Sequence, residues 1–249
     1  MEKLLKRQVK RVLHGLGLEV VSFRRKMGYQ PRSDMRKFLH NDHPLILDVG
    51  ANKGQSIESF HKSFPNCTVH SFEPSPTTFE ELKHRASRFE NAHLWNFALG
   101  STSGRSTFLE NEHSDMSSFL PLSEYGWGTV TKQTPVEVKT IDAFCRDENI
   151  EQIDILKSDT QGYDLEVFKG AEETIRNNKI GLIYFEVIFS DMYENLPSFS
   201  EIYEFLTSRG FLLVSFYGFR YQEKLASWAD ALFVSQAYLE ARRQQSAAA

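Results

Sequence analysis

Apolar and polar positions change period along the chain. From Met1 to Leu16 the spacing is helical: Leu4, Leu5, Val9, Val12, Leu13 and Leu16 share one face, and Lys3, Lys6, Arg7, Lys10 and Arg11 share the other. Residues 28–43 read as a linker with a short helix, ending at Pro44. Beyond Pro44, short apolar runs alternate with helical stretches. Strands are predicted over 45–49, 68–72, 94–97, 153–158 and 181–187, with helices to about 63, over about 77–88, to about 178 and over 199–208. Residues 104–109 and 136–139 read as an additional β pair around a polar loop. Strands 211–216 and 231–234 have no helix-length segment between them, which predicts an antiparallel pair. Strand–helix alternation of this kind predicts an α/β fold, a mostly parallel sheet with helices on both faces. The expected organisation is a basic head and linker over 1–43, a folded domain over 44–236 and a frayed tail over 237–249.

Composition narrows the class. Across 249 residues, 41% hydrophobic content and twenty phenylalanines can fill one large core, which excludes global disorder. No apolar run approaches the ~20 residues of a membrane span. Cys67 and Cys145 cannot make a disulfide framework or a four-ligand zinc site by themselves, so the chain reads as a reduced, cytoplasmic protein. The net charge of −4 hides a split: residues 1–40 hold eleven Lys and Arg against Glu2, Glu19 and Asp34. The body is therefore strongly acidic and unsuited to nucleic acid, whose phosphates need a basic stripe. The head is no signal peptide, because no long apolar stretch follows its charges. It reads either as a peripheral contact of residues 1–16 with an anionic membrane or as a helix docked on the body. Docking is favoured, since apolar helix faces exist to be buried.

In sheets of this class, ligands bind beyond the carboxyl ends of the strands. The first strand ends in Asp48-Val49-Gly50-Ala51-Asn52-Lys53-Gly54-Gln55-Ser56, whose glycines let the backbone turn tightly and approach a ligand. Gln55 stands where a Walker loop needs Lys, and Asn52 where a dinucleotide loop needs its second glycine. The plainer reading is a strand–helix turn that only needs glycine. Glu73, however, ends the second strand, where an acid can accept both ribose hydroxyls, and Pro74 holds it at the tip. Glycine turn and acid together predict a nucleoside cofactor without a pyrophosphate; S-adenosylmethionine fits.

Five motifs then stand in order: Leu47 to Gln55, Ser71-Phe72-Glu73-Pro74-Ser75, Asn96-Phe97-Ala98-Leu99-Gly100, Met116-Ser117-Ser118-Phe119-Leu120, and Leu156 to Ala171 with its Ser158-Asp159-Thr160-Gln161-Gly162. On these the chain, over about residues 44–235, resembles the FkbM family of S-adenosylmethionine-dependent methyltransferases. The resemblance implies a Rossmann-like class I methyltransferase fold, a seven-stranded sheet whose last strand is antiparallel. It implies a cofactor set of Asp48, Gly50, Ala51, Asn52, Gly54, Gln55 and Ser56, then Glu73, Pro74 and Ser75, then Phe97 and Ala98, and Asp159. Of these, Gly50, Ala51 and Asn52 would lie under the methionine part, Glu73 would hold the ribose, and Phe97 with Ala98 would border the adenine. Family members mostly O-methylate, often on sugars or natural products. Two positions depart from the pattern: Asp164 for a usual Glu, and Ser158 for an apolar residue.

A sugar hydroxyl is a weak nucleophile and needs a base or a metal to take its proton. Asp159 is the first choice for the base and Glu186 the second. Lys157 orients a carboxylate, or becomes a base itself if burial lowers its pKa. The plainer reading makes Asp159 an N-cap of the following helix. Mg²⁺ on these carboxylates stays an open alternative. The long loop before strand 153–158 carries Ser117, Ser118, Tyr125, Trp127 and His113; its aromatics either stack on a sugar or anchor the loop. His40 and His43 are a weaker metal pair. The expectation is an S-adenosylmethionine-dependent O-methyltransferase acting on a sugar or glycoconjugate precursor. The alternatives are a methyltransferase of a non-sugar natural product, a nicotinamide oxidoreductase and a non-catalytic binding module.

Overall fold

Unbroken aliphatic runs have no solvent face to offer, so they belong where a sheet is covered on both sides. In the computed structural model, which describes residues 2–18 and 26–248, they occupy the centre of one sheet. The strands are β1 Leu45–Val49, β2 Thr68–Phe72, β3 Ala92–Trp95, β4 Ala98–Leu99, β5 Gly104–Asn111, β6 Val130–Lys139, β7 Ile153–Ser158, β8 Ile180–Ile188, β9 Phe211–Gln222 and β10 Leu225–Ser235. The large sheet has seven strands in the order β3-β2-β1-β7-β8-β10-β9, with β10 running against the rest. The extra β pair is a three-stranded sheet, β4-β6-β5. The last two strands extend well beyond the expected spans and meet in a tight hairpin at Glu223 and Lys224, both at positive φ. Such a turn favours Asn-Gly, and Glu-Lys does not announce it.

The helices are α1 Glu2–Gly15, α2 Pro31–Arg36, α3 Gln55–Ser63, α4 Pro76–Ala86, α5 Ile141–Asp147, α6 Asp164–Lys169, α7 Glu172–Arg176, α8 Phe199–Thr207 and α9 Gln236–Ala248. Pro76 opens α4, where its missing N–H costs nothing, and Ser75 caps it by accepting from the Thr78 N–H at 3.2 Å. The helix expected to run to about residue 178 breaks at Gly170, where a Cβ would stand 2.1 Å from the Gly100 carbonyl oxygen. Apolar cores fill both faces of the sheet, one around Phe72, Phe144 and Phe185, the other around Phe60, Leu82 and Leu182.

Three expectations about the ends of the chain are corrected. Among the described side chains on the apolar face of α1, Val9, Val12 and Leu16 are not docked: they are 49%, 65% and 71% exposed. Helical periodicity specifies a face but not what covers it. Residues 28–43 are no loose linker. Met35 is fully buried against the second core, and Asp34 accepts from the Gly28 N–H at 2.7 Å and the Tyr217 hydroxyl at 3.0 Å. The end of the chain is helix rather than frayed tail. Tyr238 stacks on His40 at 3.8 Å and donates to Asp154 Oδ1 at 2.7 Å. Among the described residues, no helix is long and apolar enough to cross a membrane.

Candidate active site

The strand order reverses between β1 and β7, and the site is built on the loops leaving them. Gly50 sits at φ 71°, and a Cβ there would stand 2.0 Å from the Asp159 carbonyl oxygen. Gly54, at φ 88°, is the N-cap of α3 and packs over Leu82. The close approach at Gly50 is thus to the β7 loop rather than to a ligand. Between these glycines the chain turns at Asn52, whose N–H donates to Glu73 Oε2 at 3.0 Å; the Ser75 N–H donates to Oε1 at 2.9 Å. Glu73 is buried, and desolvation pushes its carboxyl up to about 7, with those two N–H groups and Lys157 pulling the other way. Asn52 Oδ1 is buried and has no hydrogen-bond partner among the described residues.

A cavity of about 520 Å³ opens above these tips. Gly50, Asn52, Glu73, Pro74, Ala98 and Leu99 line one end; Asp159, Thr160, Gln161 and Glu186 form the floor. The far wall comes from His113, Asp115, Met116, Trp127, Met192 and Trp228. Asp48, Ala51, Gly54, Gln55, Ser56, Ser75 and Phe97 do not line it. Asp48 is fully buried beneath the loop, accepting from Ser56 Oγ and from Ser71 Oγ at 3.3 Å and paired with Lys157 Nζ at 3.0 Å. Phe97 turns into the aromatic core, 5.5 Å from Phe72, and Leu99 lines the cavity instead.

The carboxylates at the tips have distinct environments. Lys157, buried, donates to the Gly50 carbonyl at 3.0 Å and lies 3.6 Å from Asp159 Oδ2. Burial alone would lower its pKa, but Asp48 and Asp159 outweigh that and raise it, so Lys157 stays a cation and the reading of it as a base fails. Asp159 keeps 42% of its side chain exposed and accepts from Gln161 Nε2 at 3.2 Å. It caps no helix, because α6 begins after Tyr163 without a side-chain cap. Glu186 accepts from the same Gln161 Nε2 at 2.9 Å. Burial, then Asp159, Asp230 and Asp164, drive it well above the carboxylate range, so it is a proton donor at neutral pH and not the second base. Tyr193 donates to Gln161 Oε1 at 2.9 Å, tying this hub to the far wall. The two departures from the family pattern satisfy each other: Ser158 Oγ donates to Asp164 Oδ1 at 2.5 Å. Among the described residues, no group of three or more His, Cys, Asp or Glu is arranged to hold a metal ion.

A family model described as the methyltransferase FkbM domain matches residues 48–213. The chain belongs to the FkbM methyltransferase family. The seven-stranded order with one reversed strand is the Rossmann-like class I arrangement that the motifs implied. This FkbM methyltransferase takes its methyl from S-adenosylmethionine, which sets aside the nicotinamide and non-catalytic alternatives. The orphaned Asn52 Oδ1 and the buried Glu73 carboxylate facing the cavity are the polar atoms such a nucleoside needs. The 2-O-methyltransferase NoeI of Sinorhizobium fredii is 27% identical over 188 residues, 67% of this chain and 76% of NoeI. The hexuronic acid methyltransferase AglP of Haloferax volcanii is 25% identical over 138 residues, 53% of this chain and 52% of AglP. Among solved structures, the magnesium protoporphyrin IX methyltransferase ChlM of Synechocystis, with bound SAM, superposes at a TM-score of 0.48 with 11% identity, covering 82% of this chain and 77% of ChlM.

Residues of the cavity that the sequence left unmarked include Phe108, Asp115, Met192 and Trp228. Trp228 carried no local signal: the antiparallel pairing of β10 with β8 sets it opposite Ile188, two residues beyond Glu186.

Proposed function

We propose that this methyltransferase O-methylates a hydroxyl of a sugar or glycoconjugate precursor. The observation that carries the reading is Asp159, an accessible carboxylate held by Gln161 in the same cavity as Glu73. Kinship with NoeI, named a 2-O-methyltransferase, and AglP, named for hexuronic acid, supports the acceptor class.

When bound, S-adenosylmethionine supplies an activated methyl and a neutral thioether leaving group. Glu73 accepts from the ribose hydroxyls, and Asn52 Oδ1 offers a further acceptor. Asp159 accepts the proton that the acceptor hydroxyl loses as its oxygen bonds the methyl carbon. Lys157 lies 3.6 Å behind Asp159, and Gln161 fixes the orientation of its carboxylate. Glu186, protonated, donates a hydrogen bond to the acceptor. The far wall would exclude water and hold the acceptor for in-line transfer. Incubation with S-adenosylmethionine and a glycan panel is expected to yield a methyl ether on a sugar ring by mass spectrometry. Transfer confined to amines, thiols or non-sugar hydroxyls contradicts the reading.

Peripheral contact with an anionic membrane is the further part of the proposal. Exposed Val9, Val12 and Leu16 beside Lys10 and Arg11 on α1 support it. The full chain is expected to sediment with phosphatidylserine vesicles and a chain lacking residues 1–16 to stay in solution; equal sedimentation contradicts it. The free, buried thiols of Cys67 and Cys145 support a reducing, cytoplasmic setting.

A further inference from the structure

The half of the cavity away from Glu73 has an unusual make-up. Two indoles, Trp127 and Trp228, meet nearly at right angles, 75° between planes and 5.5 Å between ring centres. Both are held rigidly. Trp228 packs on the cluster of Ile188, Met192 and Tyr193. Trp127 lies between two glycines with no room for a side chain: a Cβ on Gly126 would stand 2.6 Å from the Met192 carbonyl oxygen, and one on Gly128 would stand 2.4 Å from Asn111 Oδ1. The Trp127 carbonyl also accepts from Asn111 Nδ2 at 3.0 Å. A fixed corner of indole faces suits a flat ligand with C–H bonds on one side and hydroxyls on the other.

Beyond the two indoles, the charged lining is acidic. Glu73, Asp115, Asp159 and Glu186 border the cavity, and among the described residues lining it there is no lysine or arginine. Lys157 lies behind Asp159 and is engaged by Asp48 and the Gly50 carbonyl. Carboxylates accept from hydroxyls and repel other anions, so this floor selects by charge as well as by shape.

Resting on the sugar-hydroxyl reading, we propose that the ring methylated here is an uncharged pyranose. Its apolar face lies on the Trp127–Trp228 corner and its hydroxyls on the carboxylate floor, which turns away uronate and phosphorylated rings. That is the opposite choice from the one in AglP's name.

Saturation-transfer NMR on the full chain loaded with S-adenosylhomocysteine tests it. The probes are the methyl glycosides of glucose, galactose, mannose and fucose, with the uronates and 6-phosphates of the hexoses. At least one neutral ring is expected to show transfer, and its charged counterparts are expected to bind at least tenfold more weakly. Trp228→Ala should weaken the neutral ring tenfold or more with S-adenosylhomocysteine affinity kept. Trp127→Ala, at a half-exposed position, gives the same readout should Trp228→Ala fail to fold. Asp115→Arg, on the exposed rim, should admit the uronate. A uronate or phosphate that binds as well as its neutral partner, or tryptophan variants with unchanged sugar binding, overturns the inference and leaves the sugar reading standing. Loaded protein that binds no ring of either kind overturns the sugar reading itself, and this inference with it.

Discussion

Gly50 and Asp159 are in backbone contact: a Cβ on Gly50 would stand 2.0 Å from the Asp159 carbonyl oxygen. The loop after β1 and the loop after β7 are therefore one unit, and the ends of the cavity proposed for cofactor and acceptor are positioned together. Gly50→Ala must open this contact and also carry a side chain at positive φ. It is expected to destabilise the protein by about 1–3 kcal/mol and to weaken S-adenosylhomocysteine binding, read by denaturant unfolding and calorimetry. Unchanged stability would mean that the two loops move independently.

Asp159 as the base gives a kinetic prediction. Asp159→Asn keeps the side-chain shape but cannot take the proton, so kcat is expected to fall by about 10²–10⁴-fold. S-adenosylhomocysteine affinity should stay within about threefold, because the proposal assigns the nucleoside to Glu73. A variant that loses cofactor affinity and activity in equal measure would place Asp159 in the binding site instead.

Glu186 makes the free protein sensitive to alkali. Burial and its acidic neighbours raise its pKa, so the native state keeps a proton that the unfolded chain releases at about pH 4.3. Stability contributed by that proton is complete below that pH and is lost as pH climbs towards the raised native value. Glu186→Gln removes the loss. Near pH 8 the variant is expected to be more stable than the wild type by at least ~1 kcal/mol, and near pH 4 to match it. Urea melts at the two pH values decide this, and a variant less stable near pH 8 would contradict it.

The sheet and the Gly50–Glu73 end of the cavity were legible because they rest on local signals. The apolar runs 45–49 and 153–158, the Gly50 turn and Glu73 after a strand each announce themselves within a few residues. The strand order followed from the resemblance rather than from any local pattern. What escaped was tertiary. Phe97 and Leu99 both pack in the core around Phe72, and only tertiary packing decides that Leu99, and not Phe97, also borders the cavity. Gln161 stood in a motif without a role of its own, yet at φ 52° its amide bridges Asp159 and Glu186. Trp228 reaches the cavity through a strand whose register with β9 slips at several bulges. In α1, periodicity showed a face without showing that nothing on the described body covers it.

Calorimetric titration of wild type and Glu73→Ala with S-adenosylhomocysteine tests the central claim most directly. With its pKa raised to about 7, Glu73 accepts from the ribose hydroxyls better as it ionises, so wild-type affinity is expected to rise from pH 6 to pH 8 and then level. Glu73→Ala should lose about 1–3 kcal/mol of binding, the scale of a missing buried hydrogen-bond partner, and lose the pH dependence with it. Equal affinity in the two proteins, or wild-type affinity that falls over that pH range, would contradict the assignment of Glu73 to the ribose.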